Sequence, residues 1–150
     1  MSSPIKIDKY EIVNVIKTNQ KPQKESRVFP LIRDGSYCEF QLPVITTEPG
    51  VFLWHIDGVC DHIGGTRNNL RVALQNYSKI KPQDTDQKGG NPTYTRVNDA
   101  LNTAFVAKQS VVLTCVSLDR EALQRDPDSL NFGDLKDLLL SVHRPRLNLR

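Results

Sequence analysis

The run Asn69-Leu70-Arg71-Val72-Ala73-Leu74-Gln75-Asn76-Tyr77 governs how the rest of the chain is assembled. Strict alternation predicts a strand with Leu70, Val72 and Leu74 on one face. The other face then carries Asn69, Arg71, Ala73, Gln75 and Tyr77, polar and cationic with one aromatic. A sheet with one packed face and one polar face belongs to antiparallel architecture. The polar face has two readings: a solvated surface, or a flat platform that meets phosphates and bases.

Working outward, residues 51–56 alternate, with Phe52, Trp54 and Ile56 on one face and Val51, Leu53 and His55 on the other. Asp57-Gly58 and Gly64-Gly65 flank a loop or twisted ribbon holding Cys60, Asp61 and His62. Residues 108–118 form the last strand, with Val111, Leu113 and Cys115 opposite Lys108, Ser110, Val112 and Thr114. Towards the N-terminus, residues 6–16 and 27–32 read as two strands joined by a polar loop, an N-terminal hairpin. Pro30 makes the second an edge or bulged strand. Asp34-Gly35 then turns the chain into alternating residues 36–42.

Residues 82–93 are polar, with Gly89-Gly90 and two prolines, and read as an exposed loop. Residues 97–107 are ambiguous: Val97, Leu101, Ala104 and Phe105 fit helical spacing, but the segment is short. Residues 119–125 make a short helix that Pro127 ends. Leu135, Leu138, Leu139 and Val142 form one stripe on a helix over 132–143, with Asn131 as its cap and Pro145 as its stop. Strands followed by helices, without βαβ alternation, give an α+β fold with an antiparallel sheet of five to six strands. Residues 1–150 read as one domain. The few helices cannot cover a whole sheet face, so the leucine stripe is expected to clasp a second copy.

Composition restricts the class. Apolar content of 38% and charged content of 25% suit a soluble globular chain, and a net charge of +3 permits nucleic-acid contact without arguing for it. Cys38, Cys60 and Cys115 fit neither a zinc pattern nor a disulfide framework and read as buried small hydrophobes. No stretch has the length of a signal peptide core or a membrane span, so synthesis and folding in a cytoplasm are expected. Cys60 and His62 pose the one catalytic question, as nucleophile and base or as metal ligands. No second ligand pair, serine elbow or phosphate loop stands with them, so the expectation is no enzyme, no metal and no cofactor. Trp54 and Tyr77 either stack on bases or pack in the core.

The run Thr66-Arg67-Asn68-Asn69-Leu70-Arg71-Val72-Ala73-Leu74-Gln75-Asn76 resembles the basic, alternating strand of single-stranded RNA bacteriophage coat proteins. A long polar loop, a strand like 108–118, the sequence Leu118-Asp119-Arg120-Glu121-Ala122 and the C-terminal leucine stripe extend the likeness over about 51–142. The resemblance implies an interlocked homodimer with helices crossing onto the partner and dimers forming an icosahedral shell. It implies an RNA stem-loop bound for packaging and translational repression, a location in the virion after synthesis in a bacterial host, and no small-molecule substrate. By that likeness Asn69, Arg71, Ala73 and, on the last strand, Lys108 and Ser110 meet RNA, with Ala73 standing where the family carries a polar residue. Gln75 joins them by its capacity to donate and accept toward base edges. Leu135, Leu138, Leu139 and Val142 fall at the dimer interface. The alternatives are a small dimeric RNA-binding regulator and, third, a Cys/His enzyme.

Overall fold

A computed structural model describes residues 5–18, 37–80, 92–119, 136, 137 and 139–141. Its sheet is built where the alternation is clearest. Strand β4 (Gly50–Ile56) lies between β5 (Val59–Thr66) and β6 (Val111–Leu118), and β1 (Ile5–Glu11) closes the other side of β6, in the order β1-β6-β4-β5. Every pairing is antiparallel. Two short strands, β2 (Val15–Lys17) and β3 (Glu39–Phe40), form a separate ribbon. The fold is therefore mixed α+β with a four-stranded antiparallel sheet and few helices.

The decisive run is a helix. α1 (Leu70–Ser78) is capped by Asn69, whose side-chain oxygen accepts from the Val72 N–H at 3.2 Å. Leu70, Leu74 and Tyr77, at i, i+4 and i+7, are buried. Leu70, Val72 and Leu74 satisfy a period of two, while Leu70, Leu74 and Tyr77 satisfy a period of 3.6. Val72 decides between them: it is 57% exposed, where a strand would have packed it. Leucine, arginine, alanine and glutamine are good helix formers, so local propensity agrees. The platform strand expected over 69–77 is thus absent, and Asn69, Arg71, Ala73 and Gln75 do not share one sheet face.

The other helix, α2 (Pro92–Val106), follows the expected spacing, with Val97, Leu101 and Ala104 buried and Phe105 packed beside them. It starts at a proline, where the missing N–H costs nothing. Both helices are inserted between β5 and β6 rather than added at the C-terminus. They cover one face of the sheet, over Phe52, Trp54, Ile56, Val111, Leu113 and Cys115. The alternation groups Phe52, Trp54 and Ile56 on one face of β4, and gives Val111, Leu113 and Cys115 as the core face of β6. Edge-on ring contacts of Phe40 with Trp54 and of Phe52 with Tyr77 bind β3, the sheet and α1 into one core.

The opposite face is also apolar. Val51, Leu53, Cys60, Ile63, Val116 and Leu118 form a second cluster, against which Ile5, Leu139 and Leu140 pack. Residues 136, 137 and 139–141 are helical, as the stripe predicts. Leu139, expected at a dimer interface, is half-buried and packs on its own sheet; Leu135, Leu138 and Val142 lie outside the described residues. The need for a clasping partner to cover the sheet is correspondingly weaker.

Three further expectations change. The first strand pairs with β6, from Ile5 opposite Leu118 to Glu11 opposite Val112; residues 27–32, its expected hairpin partner, lie outside the described residues. The ribbon around Cys60 is strand β5, joined to β4 by a tight turn in which Asp57 and Gly58 have φ of 49° and 81°. Lys108 and Ser110 precede β6, and Lys108 sits in a turn at φ 57°.

Candidate nucleic-acid interface

Once α1 forms, its surface rows can be read directly. Arg71, Gln75 and Ser78 recur at i, i+4 and i+7 and make one row beside the buried one. That row forms one wall of an open groove of about 510 Å3. The facing wall is residues 41–45 with Ile16, and Phe40 lies at the base. Gln41 is tied down where its N–H donates to the Asn14 carbonyl at 2.8 Å. At the other end the Leu70 N–H donates to the Glu48 carbonyl at 3.0 Å. Pro43 within the segment removes one backbone donor and disfavours helix.

Arg71 joins the two walls. Its Nε donates to the Ile45 carbonyl at 2.7 Å, while the side chain remains exposed. This bond fixes the guanidinium plane and leaves the terminal nitrogens for a ligand with paired oxygens. Arg71 lies in the first turn of α1, near Arg67, and that turn contains no acidic residue. A cation at the positive end of a helix is locally unfavourable, and an anion bound there relieves both charges. The groove lining contains no carboxylate. Val44, 85% exposed, and Ile16 give its rim apolar surface. Phosphate oxygens suit Arg71, base edges suit Gln75 and Ser78, and flat base faces suit the apolar rim.

Of the six expected contact residues, the structure brings only Arg71 and Gln75 to this groove. Asn69 is engaged as the helix cap. Ala73 is half-buried on the flank it shares with Asn76, whose Nδ2 reaches the Tyr94 hydroxyl of α2 at 3.3 Å. Lys108 and Ser110 lie at the other end of the sheet. The Ser110 N–H donates to Asp57 Oδ1 at 2.9 Å, beyond the Ile56 end of β4, whereas α1 starts beside the Gly50 end. Six strand steps of about 3.3 Å separate those ends by roughly 20 Å. Ser78 and residues 41–45 were missed; helical spacing from Arg71 would have found Ser78.

Cys60 and His62 do not form a dyad. A bulge between Trp54 and His55 in the β4–β5 ladder breaks the alternation of β5. Cys60 and Ile63 then share one face, while His62 stacks obliquely near Phe52 and Tyr77 on the other. The Cys60 thiol lies 3.9 Å from the His62 backbone carbonyl. Burial pushes that thiol up to about 11, and those of Cys38 and Cys115 up to about 12. A thiol held neutral at physiological pH is a poor nucleophile and a poor metal ligand. Among the described residues, no three His, Cys, Asp or Glu side chains group as a metal site, and no helix is long and apolar enough to cross a membrane.

Comparison with known proteins adds no relative: no family model, curated protein or solved structure matches this chain.

Proposed function

We propose that this chain is a self-associating structural protein that binds single-stranded RNA, the role of a coat protein, and that the RNA runs along the groove beside α1. The observation that carries the reading is the Arg71–Gln75–Ser78 row, with Arg71 anchored at 2.7 Å to Ile45 across a groove lined by no carboxylate. The coat role rests on the resemblance to RNA-phage coat proteins outside residues 66–76; that run ends β5 and enters α1 instead of forming a basic strand, so it lends the role no support. A small dimeric RNA-binding regulator would use the same groove without building a shell. Negative-stain microscopy separates the two, with closed shells expected for a coat protein and only small particles for a regulator.

Titration of a labelled single-stranded RNA tests the groove. Arg71→Ala is expected to weaken binding and reduce the slope of log K against log salt by about one. Arg71→Lys, which keeps the charge, is expected to retain the slope. An unchanged slope in Arg71→Ala removes this residue from the interface.

A further inference from the structure

Two polar side chains of α1 line the groove beside Arg71, and they differ in what they present to a ligand. Gln75 is exposed, and its side-chain amide carries both a donor and an acceptor. Turning the amide over exchanges the two, so Gln75 suits either arrangement on a facing group. Ser78 has no such freedom. Its hydroxyl donates to the Gln75 carbonyl at 2.9 Å. Gln75 is among the last four residues of α1, whose carbonyls have no amide partner inside the helix, and the hydroxyl proton caps one of them. With that proton committed, the Ser78 oxygen meets a ligand only through its lone pairs.

Arg71 and Ser78 stand seven residues apart, roughly 10 Å along the helix. One nucleotide covers that span from its phosphate to the far edge of its base. The groove volume of about 510 Å3 is in the range of a site for one small ligand. Among the described residues that line it, only Arg71 is charged, so it has one cation for one phosphate.

We propose that Ser78 sets base selectivity in this groove, admitting adenine and cytosine in preference to guanine and uracil. Adenine and cytosine each place an amino group beside a ring nitrogen that accepts; guanine and uracil place a carbonyl oxygen where the amino group stands. Gln75 serves both kinds by turning its amide. Gln75 and Ser78 are i and i+3, neighbours on one helix face, and so can share one amino group. One amino hydrogen goes to the Gln75 amide oxygen and the other to Ser78, while the ring nitrogen accepts from the Gln75 amide. Against a carbonyl oxygen the Ser78 lone pairs have no proton between them and it. Guanine or uracil therefore binds only if the hydroxyl leaves the Gln75 carbonyl and uncaps the helix.

This inference rests on the RNA reading of the groove and adds which bases it takes. Titration of the full chain with labelled five-nucleotide RNAs tests it, each of four uridines around a central adenosine, cytidine, guanosine or uridine, with thermal melts to confirm folding of every variant. The adenosine and cytidine RNAs are expected to bind about fivefold tighter than the other two, the worth of one net hydrogen bond. Ser78→Ala is expected to bring all four within about twofold while keeping the salt slope set by Arg71. Ser78→Thr, which keeps the hydroxyl, is expected to keep the ranking. Gln75→Ala is expected to weaken all four alike. Absence of saturable binding to every RNA overturns the RNA reading and this inference together. Binding that ranks the four alike or favours guanine and uracil, a ranking that survives Ser78→Ala, or one lost in Ser78→Thr or Gln75→Ala, overturns the role of Ser78 alone.

Discussion

Replacing Asn98 with alanine is expected to lower the unfolding free energy by about 3–5 kcal/mol, read from a urea or thermal transition. Asn98 lies on α2 and is fully buried. Its Oδ1 accepts from the Cys38 N–H at 2.8 Å, and its Nδ2 donates to the carbonyls of Cys38 at 3.0 Å and Tyr77 at 2.7 Å. One side chain thus satisfies three backbone groups, two on the segment just before β3 and one on α1. Alanine leaves all three buried without that partner, at roughly 1–3 kcal/mol each before relaxation. Asn98→Asp keeps the acceptor for Cys38 but turns a second oxygen toward two carbonyls, so it is expected to be no better than alanine. The change also reaches the groove. Cys38 is two residues before Phe40, and Tyr77 ends the buried row of α1, so both walls lose an anchor. RNA affinity is expected to fall even where the variant remains folded.

Gly50→Ala should destabilise by about 3 kcal/mol or more, lowering the melting temperature by roughly 6–12 °C for a chain of this size. Gly50 starts β4, paired to Ser117 on one side and Thr66 on the other. A β-carbon there would lie 2.2 Å from the Val116 carbonyl oxygen and 2.9 Å from the Ser117 α-carbon. Both obstacles are backbone of the neighbouring central strand, so no rotamer change relieves them. Leu70, the first residue of α1, lies 3.0 Å from the same point, so the clash would also push the helix from the sheet. Gly58→Ala, with open space around the added carbon but φ at 81°, should cost less, since only local turn strain opposes it.

What the sequence made legible follows from how many structures each pattern satisfies. In β4 and β6, Phe52, Trp54, Ile56, Val111, Leu113 and Cys115 alternate over lengths too short for another period; Val111, Leu113 and Cys115 face the core as read, and Phe52, Trp54 and Ile56 share one face as grouped. In α2, Val97, Leu101 and Ala104 fit helical spacing, but the segment is too short for the pattern alone to decide. Residues 70–77 admit both periods, and the Asn69 cap that separates them acts only once the helix forms. In β5, Asp61, His62, Gly64 and Gly65 carry the composition of a loop. Gly64 is there because a β-carbon would lie 2.4 Å from the Phe52 ring. The pairing of β1 with β6 spans more than a hundred residues, and nothing local to Ile5–Glu11 specifies it. Arg71 and Gln75 stood out by residue type, but the groove needed residues 41–45 folded against α1, a long-range arrangement no local pattern encodes. Asn98 gave no signal at all, since a polar residue at a buried helix position is visible only once its three partners are in place.

An amide-resolved NMR titration of the full chain with a short single-stranded RNA bears on the proposed interface without any substitution. Saturable shifts clustered at Arg71, Gln75, Ser78 and residues 41–45, weakening as salt rises, are the predicted result. Shifts centred instead on Lys108 and Ser110 or on the exposed side of β1, or no saturable shift at low salt, would contradict it.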